Sequence, residues 1–170
     1  MKKITLVLAF IGMITLSSCS REEVIIQDDG IDFDTIAEVF EVTTTFGPVN
    51  DYSSLVTFNP PIFNSDMILV YHLYDVVNGD DVWRLLPQTY FLGSGVALDY
   101  NYDFTRFDVN LFLESNVNLN TIPVTWTNNQ TFRLVVVPGA FGKNSKIDYS
   151  NYKATIDMLG YTNSKIIKLK

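Results

Sequence analysis

One histidine, one cysteine and a surplus of carboxylates limit the chemistry open to this chain. Nucleophilic hydrolysis through an activated hydroxyl needs an imidazole to take the proton. His72 is the only imidazole, and it sits between Tyr71 and Leu73 in an apolar run. Nothing in the sequence sets a nucleophile beside it, so it is expected as a hydrogen-bonded core or sheet-face histidine. One His and one Cys do not make a usual zinc set. No GxGxxG, phosphate-loop or GxSxG pattern occurs, and Gly93-Ser94-Gly95 reads as a turn. No catalytic residue, metal or cofactor is therefore expected. Paired carboxylates are the surviving catalytic route. Asp99, Asn101 and Asp103 share one strand face that suits calcium or sugar hydroxyls, but reads first as the solvated face opposite Tyr100 and Tyr102. Arg84 and Arg133 lie in apolar strands, where a buried guanidinium needs a partner, so both are expected in structural ion pairs. Trp83 and Trp126 read as core anchors. Tyr90, Tyr100 and Tyr102 stand among polar residues and are the candidate ligand contacts, because rings offer area at low entropic cost. Core burial explains them equally well.

The cysteine has a different setting. Met1-Lys2-Lys3 is a short positive segment, and 4–16 is an almost unbroken apolar run. Such a run is too short for a membrane-spanning helix, which needs ~20 apolar residues, and fits a secretory leader. Leu16-Ser17-Ser18-Cys19 follows it and resembles the lipobox of bacterial lipoproteins. That resemblance implies cleavage before Cys19 and acylation of its thiol. The alternative is an ordinary signal peptide with a Cys at its end. An acylated Cys19 leaves no thiolate and no disulfide, so stability must come from the core.

The mature chain would keep 152 residues, enough for one domain. At 47% hydrophobic and 14% aromatic it is globular, and its 18% charged residues fall below the common share. Losing Lys2 and Lys3 with the leader takes the formal charge from −7 to −9. Such a surface repels nucleic-acid phosphates and anionic lipid alike, so no nucleic-acid partner is expected and the acyl group must hold the membrane.

Residues 19–35 read as an acidic tether, with Arg21-Glu22-Glu23, Asp28-Asp29-Gly30, Asp32 and Asp34. Acidic residues just past the lipidated Cys resemble the export signal of surface-displayed flavobacterial-type lipoproteins; a solvated spacer is the plain alternative. The Asp28 to Asp34 cluster matches no complete calcium-loop spacing. Residues 36–170 have β texture. Strands are expected near 39–46, 55–58, 67–74 (apolar on both faces, hence central), 82–86, 96–104, 107–113, 131–137 and 165–169. Asn78-Gly79-Asp80-Asp81 predicts a hairpin, and Gln88 to Phe91 a short continuation of the strand before it. Inward-facing parity changes between Tyr100/Tyr102/Phe104 and Phe107/Val109/Leu111/Leu113, which predicts a bulge or bend at Thr105-Arg106. A short helix over 153–159 is stopped by Gly160.

This pattern predicts an all-β, antiparallel β-sandwich, immunoglobulin-like in general architecture, with a short C-terminal helix; a β-barrel is the alternative. The segments Asp81-Val82-Trp83-Arg84-Leu85-Leu86-Pro87-Gln88-Thr89, Tyr100-Asn101-Tyr102-Asp103-Phe104-Thr105 and Asn129 through Gly139 resemble a family of small flavobacterial-type (Bacteroidota) surface lipoproteins of unknown function. The resemblance implies an outer-membrane lipoprotein of the cell envelope, displayed at the surface, and carries no assigned activity. The expected function is non-catalytic: a module held to the membrane by its lipid that binds a glycan or protein, or supports assembly. The alternative is a secreted hydrolase using carboxylates on polysaccharide or peptide.

Overall fold

The computed structural model describes residues 37–139, 141, 147–161 and 165–169, all within the compact unit Asp32–Lys170. The leader, Cys19, the acidic tether and the Asp28 to Asp34 cluster lie outside the described residues. Nine strands follow in chain order: β1 (Glu38–Thr44), β2 (Ser53–Thr57), β3 (Met67–Val77), β4 (Asp80–Leu85), β5 (Gln88–Gly93), β6 (Val96–Phe104), β7 (Asp108–Ser115), β8 (Gln130–Val137) and β9 (Ile167–Lys168). A single short helix, α1 (Tyr152–Met158), lies between β8 and β9 among the described residues.

The strands form two sheets, ordered β4-β3-β8-β1-β9 and β2-β7-β6-β5, and neither closes into a barrel. The protein is a β-sandwich. Pairing is antiparallel except for β1 with β9, which run parallel. Alternation along each strand divides the apolar residues between two clusters. Ile68 and Val70 of β3 and Phe132, Leu134 and Val136 of β8 face the second sheet, meeting Leu98, Tyr100, Val109 and Leu111. Their neighbours Leu69, Tyr71, Val135 and Val137 face the other way and are covered by Ile156 of α1, with Tyr149 and Tyr152 packed against them. This explains why β3 reads as apolar on both faces: it is an interior strand with a layer on either side.

The tight turns follow from local chemistry. Val77 pairs with Asp80 across Asn78-Gly79, whose φ values of 54° and 91° are those of the turn that matches strand twist. Gly93 pairs with Val96 across Ser94-Gly95 in the same way. Asn151 caps α1 by accepting from the Ala154 amide at 3.1 Å, and Gly160 ends it at φ 62°.

Two expectations need correction. Gln88 to Phe91 does not continue β4. The chain leaves the first sheet at Leu86-Pro87, and β5 becomes an edge of the second, paired with β6. The irregularity at Thr105-Arg106 is a chain reversal, not a bulge within one strand. Tyr100 stands opposite Leu113, Tyr102 opposite Leu111 and Phe104 opposite Val109, so even-numbered inward residues of β6 meet odd-numbered ones of β7. The Thr105 hydroxyl accepts from the Phe107 amide at 3.0 Å and donates to Asp108 at 2.7 Å, closing the turn.

Candidate functional site

The outer face of the first sheet carries the most developed site. Antiparallel register sets Arg133 between Glu41 on β1 and Tyr71 on β3. The β3–β4 hairpin brings Asp81 and Trp83 over the same face, and α1 adds Tyr152. Arg133 Nε donates to Glu41 Oε2 at 3.0 Å, and Nη1 donates to the Tyr152 hydroxyl at 2.8 Å. Nη2 lies 3.6 Å from Asp81 Oδ2, and the guanidinium sits 4.1 Å from the centre of the Trp83 ring. Lys168 of β9 gives Glu41 a second cation at 3.1 Å. Burial pushes the Glu41 carboxyl up, but hydrogen bonds and charge from Lys168 and Arg133 outweigh it and hold the group below its usual range. Beside this cluster the Tyr71 hydroxyl reaches the Tyr149 carbonyl at 2.7 Å and the Thr155 hydroxyl at 3.0 Å, and burial pushes its pKa up to about 12. These bonds fix α1 to the sheet.

Between α1 and the β3–β4 hairpin the surface is concave, with a volume of about 780 Å³. Arg133 forms its floor, where its charge is already balanced by Glu41 and Asp81, so it braces the wall and is not a free anion clamp. Trp83, Tyr152 and Tyr161 supply ring surface, and Asp80, Asp81 and Asp157 supply exposed acceptors around it. Lys153 pairs with Asp157 along the helix at 2.5 Å. Rings beside carboxylate acceptors suit a polyhydroxylated ligand, whose C–H faces stack while its hydroxyls donate. A general acid is a different requirement: a carboxyl kept protonated by a raised pKa. Among the described residues the two carboxyls with displaced ionisation, Glu41 and Asp148, are both pulled down; Asp148 is lowered by hydrogen bonds from Ser150.

The residues singled out in the sequence are distributed differently. His72 is buried between the sheets, stacked on Tyr100 at 4.4 Å. The Gln130 amide nitrogen donates to the Thr125 and Asn128 carbonyls, so its oxygen faces His72 Nε2 at 2.9 Å. Nε2 therefore carries the proton, and Nδ1 accepts from the Tyr90 hydroxyl at 3.0 Å. Burial foremost lowers the His72 pKa to about 4, helped by the charge of Arg84 and opposed by the bond to Gln130.

Tyr90 and Tyr100 are 4% and 1% exposed and belong to the inter-sheet core, so as ligand contacts they are corrected. Their hydroxyls serve His72 and the Trp126 carbonyl respectively. Tyr102 is half-buried and donates to the Ile68 carbonyl at 2.9 Å, tying the two sheets. Asp99 accepts from Thr89, and Asn101 donates to Glu114 at 2.7 Å, on the outer face of the second sheet. No group of three acidic, His or Cys side chains is placed to hold a metal among the described residues. Arg133 has the expected ion pairs. Arg84 instead lies 3.4 Å over the ring of Tyr74, a cation–π contact at the sheet edge.

The sequence marks Arg133 and Trp83 one by one. Only register and the docking of α1 join them to Glu41 and Tyr152. Searches against protein families, curated proteins and solved structures find no match to this chain.

Proposed function

We propose that this protein is a lipid-anchored component of the cell envelope, held at the outer face of the outer membrane by an acylated Cys19. Its sandwich domain works by binding in the groove between α1 and the β3–β4 hairpin, and it performs no chemical step. The groove carries this reading: ring surface and carboxylate acceptors line one concavity, and the one displaced carboxyl beside it, Glu41, is held ionised. A glycan is the ligand class that fits that lining. The lipobox-like Leu16 to Cys19 and the resemblance to flavobacterial-type surface lipoproteins support the location.

The test is a paired assay on the full-length protein in detergent. One arm screens envelope and host glycans and proteins for binding; the other screens glycosidase and peptidase substrates for turnover. Glycan binding is expected, weakened roughly tenfold by Asp80→Ala or Asp157→Ala for each hydrogen bond lost. Turnover abolished by one Asp or Glu substitution that leaves the fold intact would overturn the binding function.

A further inference from the structure

The described residues expose five phenylalanines: Phe63, Phe91, Phe104, Phe107 and Phe141. Four of them stand at one end of the sandwich. Phe104 ends β6 and Phe107 lies in the turn before β7. The loop holding Phe63 is fastened to that turn, because the Phe58 amide donates to the Phe107 carbonyl at 2.7 Å and the Ile62 amide to the Arg106 carbonyl at 2.9 Å. Phe141 follows the end of β8, where Gly139 packs directly on Ser65 of the same loop. Phe63, Phe104 and Phe107 are 52%, 41% and 54% exposed. Pro60 and Pro61 are exposed between them.

The same end receives the chain from Cys19. Glu38 of β1 pairs with Val136, Val136 with Ile68, and the Ile68 carbonyl accepts from Tyr102 two residues before Phe104. The entry of β1 is thus beside the phenylalanine cluster. Seventeen residues separate Cys19 from Ala37. Fully extended, that length of chain reaches at most roughly 60 Å from an acylated Cys19, so this end stays at a high effective concentration near the lipid surface. A patch too weak to bind membrane alone then suffices to dock.

We propose that this end of the sandwich is a membrane-docking surface, with Phe63, Phe104 and Phe107 inserted into the interface of a phospholipid bilayer. The inference rests on the lipid anchoring proposed above. The lipid is zwitterionic: Asp66, Asp103 and Asp108 flank the cluster against Arg106 in the turn itself, so anionic headgroups are repelled. Docking sets the sandwich upright, with its opposite end, at Val49, directed away from the bilayer.

The experiment uses the full lipidated protein in phosphatidylcholine vesicles. Acylation of Cys19 leaves an introduced cysteine as the single thiol for a spin label, so Asn64→Cys reports beside Phe63 and Val49→Cys reports at the opposite end. The label at 64 should lie roughly 5–10 Å inside the interface and be shielded from a water-soluble relaxant, while the label at 49 stays water-exposed. Phe104→Ser with Phe107→Ser should return the label at 64 to water while vesicle flotation and melting temperature hold. Added phosphatidylglycerol should reduce the shielding. Equal exposure of both labels on vesicle-bound protein would overturn the docking surface. So would dipolar broadening between copies, or shielding in native membranes but not in pure lipid, which would give the patch to a second copy or to a protein. Failure of the anchoring itself looks different: the protein does not float with vesicles, and two labels attach per chain.

Discussion

His72 and Arg133 are buried polar groups whose partners the fold decides. His72 is neutral because both ring nitrogens are committed and water is excluded. Its folded pKa of about 4 lies below the unfolded value of ~6.5, so folding disfavours the charged form. Stability from this group is complete above about pH 6.5 and is lost as pH falls toward 4, by about 3 kcal/mol in all. Glu41 is lowered from 4.5, so its contribution is present above that value and is lost as pH falls below it, which leaves the range from pH 7 to 4.5 to His72. Denaturant unfolding between pH 7 and 4.5 should show the first decline, and NMR of the single imidazole should show no protonation near 6.5. A ring that titrates normally in the folded protein would remove this account. Arg133→Ala leaves Glu41 and Tyr152 without their central donor. It should cost about 3 kcal/mol, measured as a shift in the denaturant midpoint. Arg133→Lys should recover little of that, since an ammonium cannot reach Glu41 and Tyr152 together while lying flat on Trp83.

At the scale of elements, the loop between β2 and β3 is held by backbone contacts at both sides. Its Ile62 amide binds the β6–β7 turn, and its Ser65 packs against Gly139. A methyl group on Gly139 would meet the Ser65 carbonyl oxygen at 2.6 Å, closer than any real contact, and that atom belongs to the backbone. Gly139→Ala should therefore displace the loop and lower stability by ~1–3 kcal/mol, read as a fall in melting temperature. Gly47→Ala is the control, because its added methyl meets no atom within 4 Å. Equal melting temperatures for the two variants would show that the loop moves freely.

For the molecule as a whole, both faces of the first sheet are covered, one by the second sheet and one by α1. Among the described residues every buried side-chain nitrogen and oxygen has a partner. No helix there is long and apolar enough to cross a membrane. A core so satisfied should hold without metal or disulfide, so EDTA and reductant should leave the melting temperature unchanged; a drop of several degrees with EDTA would restore calcium at the acidic segments. Retention at the membrane should depend on Cys19. Cys19→Ser is expected to move the protein from the detergent phase to the aqueous phase, and mass spectrometry of the wild-type N-terminus should find acylated Cys19. An unmodified Cys19 would end the lipoprotein assignment.

Period-two alternation and turn chemistry were legible in the residues themselves. Asn78-Gly79 and Ser94-Gly95 supply the positive φ that two-residue turns demand, and the two-sided apolar run at 67–74 could only be an interior strand. Such signals are local: each depends on neighbours in the chain. Sheet membership is not local. Pro87 ends β4, but nothing near it says that Gln88 to Phe91 must cross to the other sheet, because that choice depends on pairing with β6. Alternation likewise sets Tyr100 and Tyr102 on one face of a strand without saying what covers it, so contact and core were equal readings until the first sheet packed on them. The groove and the phenylalanine end were decided only in three dimensions. Arg133 meets Glu41 across 92 positions of sequence, and the loop that carries Phe63 meets the Phe107 turn through the Phe58 and Ile62 amides; distances of that kind are set by register and packing, not by spacing along the chain.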